Sequence, residues 1–246
     1  EFGELGIIRS TVNMFTVFAG FGLGLTATKY IAEFKIKDKD KAGRIIGLTS
    51  LFAGATGGVI AVFLLISAPF LAEKTINAAH LVNEIRLSAF ILFFSSLNGA
   101  QTGILAGFES FKIIAKVNII SVVLVFPIQI GFTFVFGLPG SVIGFGLNFL
   151  ILWVLNFVAV RRESFKFGIT IQFKKALNEW PILYKFSLPA LLSGLMVSPI
   201  IWACNAMLVN EPKGFDEMAM FSAANQWKSA ILFVPVVLSQ IVLPLL

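Results

Sequence analysis

The sequence predicts an all-α polytopic membrane protein, and three observations carry that prediction. The 246 residues are 57% hydrophobic and only 13% charged, whereas a soluble domain is closer to a quarter charged. The apolar residues fall into seven stretches of roughly 20 residues or more, the length needed to cross about 30 Å of hydrocarbon. The cations are concentrated in alternate connections between those stretches, as the positive-inside rule requires.

The seven spans, a to g, cover approximately residues 5–28, 45–71, 87–108, 114–137, 140–160, 186–209 and 218–244. After span a comes a segment with Lys29, Lys35, Lys37, Lys39, Lys41 and Arg44; after c, a short turn with Lys112 and Lys116; after e, a longer segment with Arg161, Arg162, Lys166, Lys174, Lys175 and Lys185. The other connections hold only Lys74, Arg86 and Lys213, so the balance is fourteen cations against three. The basic connections are therefore expected in the cytoplasm, with residue 1 outside and residue 246 inside a multi-pass cytoplasmic membrane protein. Topology accounts for the net charge of +6, which removes the case for a nucleic-acid partner.

The longest polar interruption divides the chain into an N-terminal lobe (1–160), a cytoplasmic linker (161–184) and the start of a second lobe (185–246). Within the linker, residues 173–180 read as a short interfacial helix, with Lys174 and Lys175 toward anionic lipid and Trp180 at headgroup level. The sequence enters an apolar helix at once and stops inside another, and it reads as a fragment. A lone cysteine, Cys204, offers no disulfide framework; there is no Cys/His metal cluster, no metal site and no cofactor signature, and His80 is expected to be simply solvated.

Glycines four apart let helix backbones approach closely in lipid. Gly99, Gly103 and Gly107 make such a ridge on span c and are expected to pack against a neighbour; Gly54 and Gly58 in b and Gly140 and Gly144 in e repeat it. Tight bundle packing accounts for these glycines; the other reading is that Gly20, Gly22 and Gly24, with Pro127, Pro199 and Pro235, mark bending points. An internal echo adds to this. Phe2-Gly3-Glu4-Leu5-Gly6-Ile7-Ile8 and Phe215-Asp216-Glu217-Met218-Ala219-Met220-Phe221 share a pattern at an offset of 213, as a six-helix unit repeated in parallel would.

Ionisable side chains inside spans cost about 2.5 kcal/mol or more at the centre on insertion scales and face a cavity or a partner. Lys228 lies ~15 Å into span g at about 1.5 Å per residue, near the midplane. Arg9 lies about one turn inside the outer end of span a, where snorkelling to the headgroups competes with cavity lining; what favours the cavity is that it shares one face with Asn13, Thr16 and Gly20. Asn98 and Gln101 on c, and Asn225 and Gln226 beside Lys228, complete the candidate cavity set. For any single amide, an interhelical hydrogen bond competes with ligand contact. No span carries an embedded Asp or Glu. A cationic, amide-rich cavity suits an anionic, hydroxyl-rich solute such as a sugar diphosphate.

Several stretches resemble the polysaccharide-biosynthesis flippases, exporters of the O-antigen and teichuronic-acid type in the multidrug/oligosaccharidyl-lipid/polysaccharide superfamily. They are Glu1-Phe2-Gly3-Glu4-Leu5-Gly6, the stretch from Gly22 through Glu33, Leu97-Asn98-Gly99-Ala100-Gln101-Thr102-Gly103-Ile104-Leu105-Ala106-Gly107-Phe108-Glu109, and Ser187-Leu188-Pro189-Ala190. The resemblance implies that spans a to g match helices two to eight of a two-lobed transporter with twelve or more. It further implies alternating access, a polyprenyl-pyrophosphate glycan as substrate, a lipid-bilayer setting and glycan-assembly enzymes as partners. The function expected is a lipid-linked oligosaccharide flippase, a transporter and not an enzyme. The alternatives are a multidrug or toxin-extrusion antiporter, a lipid II flippase and, remotely, an integral-membrane glycosyltransferase or polymerase.

Overall fold

The computed structural model describes residues 1–242, with side chains through Leu232. Pro235 and the end of span g therefore lie outside the described side chains, and residues 243–246 outside the described backbone. Eight α-helices follow in order: α1 Phe2–Gly20, α2 Leu23–Lys37, α3 Lys39–Phe70, α4 Val82–Gly107, α5 Phe111–Lys166, α6 Leu188–Leu195, α7 Ser198–Val209 and α8 Gly214–Val242. No strand occurs among the described residues.

Four helical stretches, Lys39–Thr75, Ala79–Gly107, Phe111–Lys166 and Leu183–Val209, are each long and apolar enough to cross a membrane, and α1 with α2 makes a fifth, bent by 44°. The chain is an all-α polytopic membrane protein. Span a is thus the bent pair, and its bend falls where the glycines predicted one: Phe21 and Gly22 both adopt positive φ. Breaking a helix frees backbone carbonyls that lipid cannot satisfy. Here the Ala19 carbonyl accepts from Thr56 Oγ1 at 2.6 Å and Ser96 Oγ at 3.0 Å.

At about 1.5 Å per residue, 56 residues would run ~84 Å, far beyond one bilayer crossing. Helix α5 is instead a hairpin of two arms. Gly137, at φ 62° and ψ −133°, reverses the chain, a conformation open to glycine because it lacks Cβ. Thr133 then bonds Ser141 at 2.9 Å and Ser121 donates to Asn148 at 2.9 Å, so the two arms run antiparallel. The turn sits at Gly137, one residue before the expected separator, while Pro127 lies inside the first arm without breaking it. Span f is interrupted too, between α6 and α7 at Met196–Val197, just ahead of Pro199. Helix α8 is 29 residues long and carries Asn225, Gln226 and Lys228.

Contacts between connections define two ends of the bundle. At one end, Glu4 meets His80 at 2.8 Å, Asn210 donates to the Thr75 carbonyl at 2.8 Å, and the His80 ring lies 6.4 Å from that of Phe215. His80 is thus not merely solvated, because its ring nitrogen holds the α3–α4 connection to α1. At the other end, where the basic segments gather, Lys35 pairs with Glu109 at 2.9 Å and Arg44 with Glu179 at 2.8 Å, while Glu163 holds Ser110 and Lys166. Lys35 is buried, and the segment expected as a basic connection is helical through Lys37 before Asp38 caps α3.

The linker lies across the start of α3. Gln172 N–H donates to the Gly43 carbonyl at 3.2 Å, and Ala176 is fully buried against α3. The expected interfacial helix is a short 3-10 turn, Ala176–Glu179, with Lys174, Lys175 and Trp180 exposed.

Candidate functional site

Helix α1 is the axis of the site because it touches both α7 and α8. Ser10 accepts from Asn205 Nδ2 at 2.8 Å, Thr11 accepts from Trp202 Nε1 at 3.0 Å, and Gly194 faces Val17. These partners run in opposite senses, so α1 and α7 are antiparallel. Against α8 the sense is the reverse. Gly3 lies on Phe215 and Ala219, and Gly6 on Met218 and Ser222. The two helices that share the sequence echo therefore pack in parallel, at the glycines that open each echo in α1.

Between α1, α7 and α8 lies a cleft of about 700 Å³. Five of the predicted cavity residues line it together: Arg9 and Asn13 from α1, and Asn225, Gln226 and Lys228 from α8. Residues more than 200 positions apart in sequence meet there because the parallel packing sets their polar faces toward one gap. Ser10, Asn205, Ser222 and Ser229 add hydroxyls and an amide, and no acidic side chain lines the cleft among the described residues.

Arg9 is half-buried. Its guanidinium carbon stands 4.8 Å from the centroid of the Phe145 ring, which holds the cation by its π face. Its Nε is buried without a hydrogen-bond partner among the described residues. Lys228 is exposed to the cleft and pairs with no carboxylate among the described residues. Two cations without counter-ions in a low-dielectric trough make an attractive place for an anion, and the amides and hydroxyls around them can bond a hydroxylated ligand.

The other predicted residues go elsewhere. Asn98 does not line the cleft: its Nδ2 donates to the Phe149 carbonyl at 2.8 Å, and its Oδ1 accepts from Asn156 at 3.1 Å. It ties α4 to the second arm of α5. Gln101 is buried away from the cleft, with Oε1 lacking a partner among the described residues. The reason is geometric. A polar stripe on one helix gives a face but not the neighbour it meets, and the face of α4 bearing Asn98 meets α5 and not α8.

Thr16 and Gly20, the continuation of the α1 stripe, line a second, smaller pocket of about 250 Å³ beside the bend, with Gly22, Gly24 and Gly99. On the glycine ridge, Gly103 and Gly107 pack against α2, whereas the vacant Cβ position of Gly99 faces open space. The Asn205–Ser10 and Trp202–Thr11 bonds were not foreseen. In the sequence, Asn205 is one isolated polar residue in an apolar span.

The family model described as polysaccharide biosynthesis protein matches residues 1–246, and the chain belongs to that family. It is 25% identical over 193 residues to the EPS I polysaccharide export inner membrane protein EpsE of Ralstonia nicotianae, a match covering 76% of this chain and 43% of that protein. A protein of the same description from Ralstonia solanacearum is 38% identical over 69 residues, or 28% of this chain and 16% of that protein. The match thus spans less than half the length of either relative. No solved structure matches the chain.

Proposed function

We propose that this member of the polysaccharide biosynthesis family supplies part of a transporter that flips a lipid-linked oligosaccharide, carried on a polyprenyl pyrophosphate, across the inner membrane. The observation that carries this reading is the joint placement of Arg9 and Lys228 in one amide-lined cleft free of acids among the described residues. Such a lining pairs ammonium and guanidinium groups with phosphate oxygens and amides with sugar hydroxyls. The names of the relatives, polysaccharide export inner membrane proteins, support transport and an inner-membrane location.

In this reading residues 1–160 belong to one lobe and 185–246 to the next, and the cleft lies on the seam between them. The gathering of the basic segments at one end supports placing that end in the cytoplasm, with residue 1 outside and residue 246 inside. Alternating access would rock one lobe against the other around α1. Enzymes that assemble the glycan are the expected partners.

The test is Lys228→Ala in the protein at its full natural length, expressed in a strain lacking its own copy. Export of the glycan should be lost while the variant still inserts at the wild-type level. Export at the wild-type rate would remove Lys228 from the mechanism, and export lost only together with insertion would make its role structural.

A further inference from the structure

A groove apart from the cleft runs between α3, α4 and the second arm of α5, with a volume of about 790 Å³. Its walls are apolar: Leu65 from α3, Phe90 and Phe93 from α4, and Val142 from α5. Small residues hollow it. Ala61 and Ala89 line it, and a Cβ on Gly146 would stand 3.3 Å from Ile91 Cγ1 and 3.7 Å from Phe90 Cδ1. Among the described residues Asn83 and Arg86 are the only polar ones in the lining, and both sit in the first turns of α4.

We propose that this groove holds one acyl chain of an anionic phospholipid, whose phosphate rests on Arg86 and Asn83. Three features argue for that occupant. From Asn83 to Phe93 the helix runs ~15 Å at about 1.5 Å per residue, half of a ~30 Å hydrocarbon core and hence the depth of one leaflet. Arg86 is exposed and forms no ion pair among the described residues, and no acid lines the groove. Glu84 lies two residues away, on another face of the helix. Finally, a guanidinium binds phosphate by two parallel hydrogen bonds, and the neighbouring amide can donate to the remaining oxygens. The site belongs to the leaflet at the Glu4–His80 end of the bundle and does not depend on the transport reading.

Native mass spectrometry of the full natural protein, taken from nanodiscs containing phosphatidylglycerol and phosphatidylcholine, tests it. Wild type should retain one phosphatidylglycerol in preference to phosphatidylcholine. Arg86→Ala should reduce that preference about fivefold, the scale of one basic residue at a membrane surface, and Arg86→Lys should recover part of it. Ala61→Phe, which fills the groove, should reduce retention of both lipids. Because Arg86 is exposed, its variants keep the fold, and an unchanged melting temperature checks this. Undiminished retention in Arg86→Ala and in Ala61→Phe would overturn the proposal. Displacement of phosphatidylglycerol by an equimolar polyprenyl phosphate would overturn the choice of occupant.

Discussion

Gly103 and Gly24 meet backbone to backbone: a Cβ on Gly103 would stand 2.2 Å from the Gly24 carbonyl oxygen, and a Cβ on Gly24 would stand 2.9 Å from the carbonyl oxygen of Gly99. Helix α2 therefore crosses α4 with the two backbones in close contact, beside the 44° bend of span a. Thr28 reinforces the crossing by donating to the Gly103 carbonyl at 3.1 Å. In lipid such packing takes the place of the hydrophobic drive that buries soluble helices.

Gly103→Ala is expected to lower stability by about 1–3 kcal/mol, the usual cost of overpacking, because the obstructing Gly24 atoms belong to the main chain and cannot swing aside. Gly99→Ala, four residues earlier on the same ridge, should be neutral or slightly stabilising. Its Cβ would meet nothing within 4 Å, and alanine favours helix. Melting curves of the two variants in one detergent separate them. Equal destabilisation would mean that the crossing lies elsewhere.

Asn98 and Asn156 form a buried pair linking α4 to the second arm of α5. Replacing either by Ala should cost stability, and the double variant should cost less than the sum, because the partner left behind no longer needs satisfying. Interhelical hydrogen bonds in membranes average about 0.6 kcal/mol, so a coupling near that size is expected from a double-mutant cycle. Strict additivity would show that the two amides act independently.

How much of this could be read from sequence depends on whether a feature is local to one helix. The bend at Phe21–Gly22 was legible because three glycines in five residues weaken one helix, and the reversal at Gly137 because Gly-Leu-Pro-Gly interrupts an apolar run. Arg9 and Lys228 were legible because charge inside a span is costly wherever it points. Asn98 was not, since its role depends on which helix faces α4, and helical periodicity says nothing of neighbours. The Glu4–His80 pair and the linker lying on Gly43 were missed for the same reason. Each joins segments whose proximity comes from the whole bundle.

Arg9 and Phe145 give a third expectation. A cation held over an aromatic ring gains about 0.5–2 kcal/mol according to its desolvation, and the ring sets where the guanidinium stands in the cleft. Phe145→Leu keeps the apolar volume but removes the π face. On the transport reading, glycan export should fall about tenfold, equivalent to about 1.4 kcal/mol, with insertion and melting temperature little changed. Arg9→Lys should show a similar loss, since an ammonium cannot reproduce the planar fork. Wild-type export in both would detach this cation from the cleft's function.

The linker offers the last expectation. Arg44 Nε meets Glu179 Oε1 at 2.8 Å, and both side chains are largely shielded, at 22% and 14% exposure. Beneath the pair, Gly43 and Gly47 let the linker carbonyls of Thr170 and Gln172 press onto α3, where a Cβ on Gly47 would lie 2.4 Å from the Gln172 oxygen. The ion pair alone contributes little to global stability, since pairs near a surface are worth about 0–1 kcal/mol. Its effect is local, because a segment with few buried contacts opens far more readily than the bundle. Glu179→Ala should therefore leave the melting temperature within a few degrees while speeding tryptic cleavage at Lys174 and Lys175. The exchange Arg44→Glu with Glu179→Arg should restore part of the protection, as neither single reversal would. If cleavage is unchanged in Glu179→Ala, the glycine-seated backbone contacts hold the linker without the ion pair. Gly47→Val should then release it where Glu179→Ala did not.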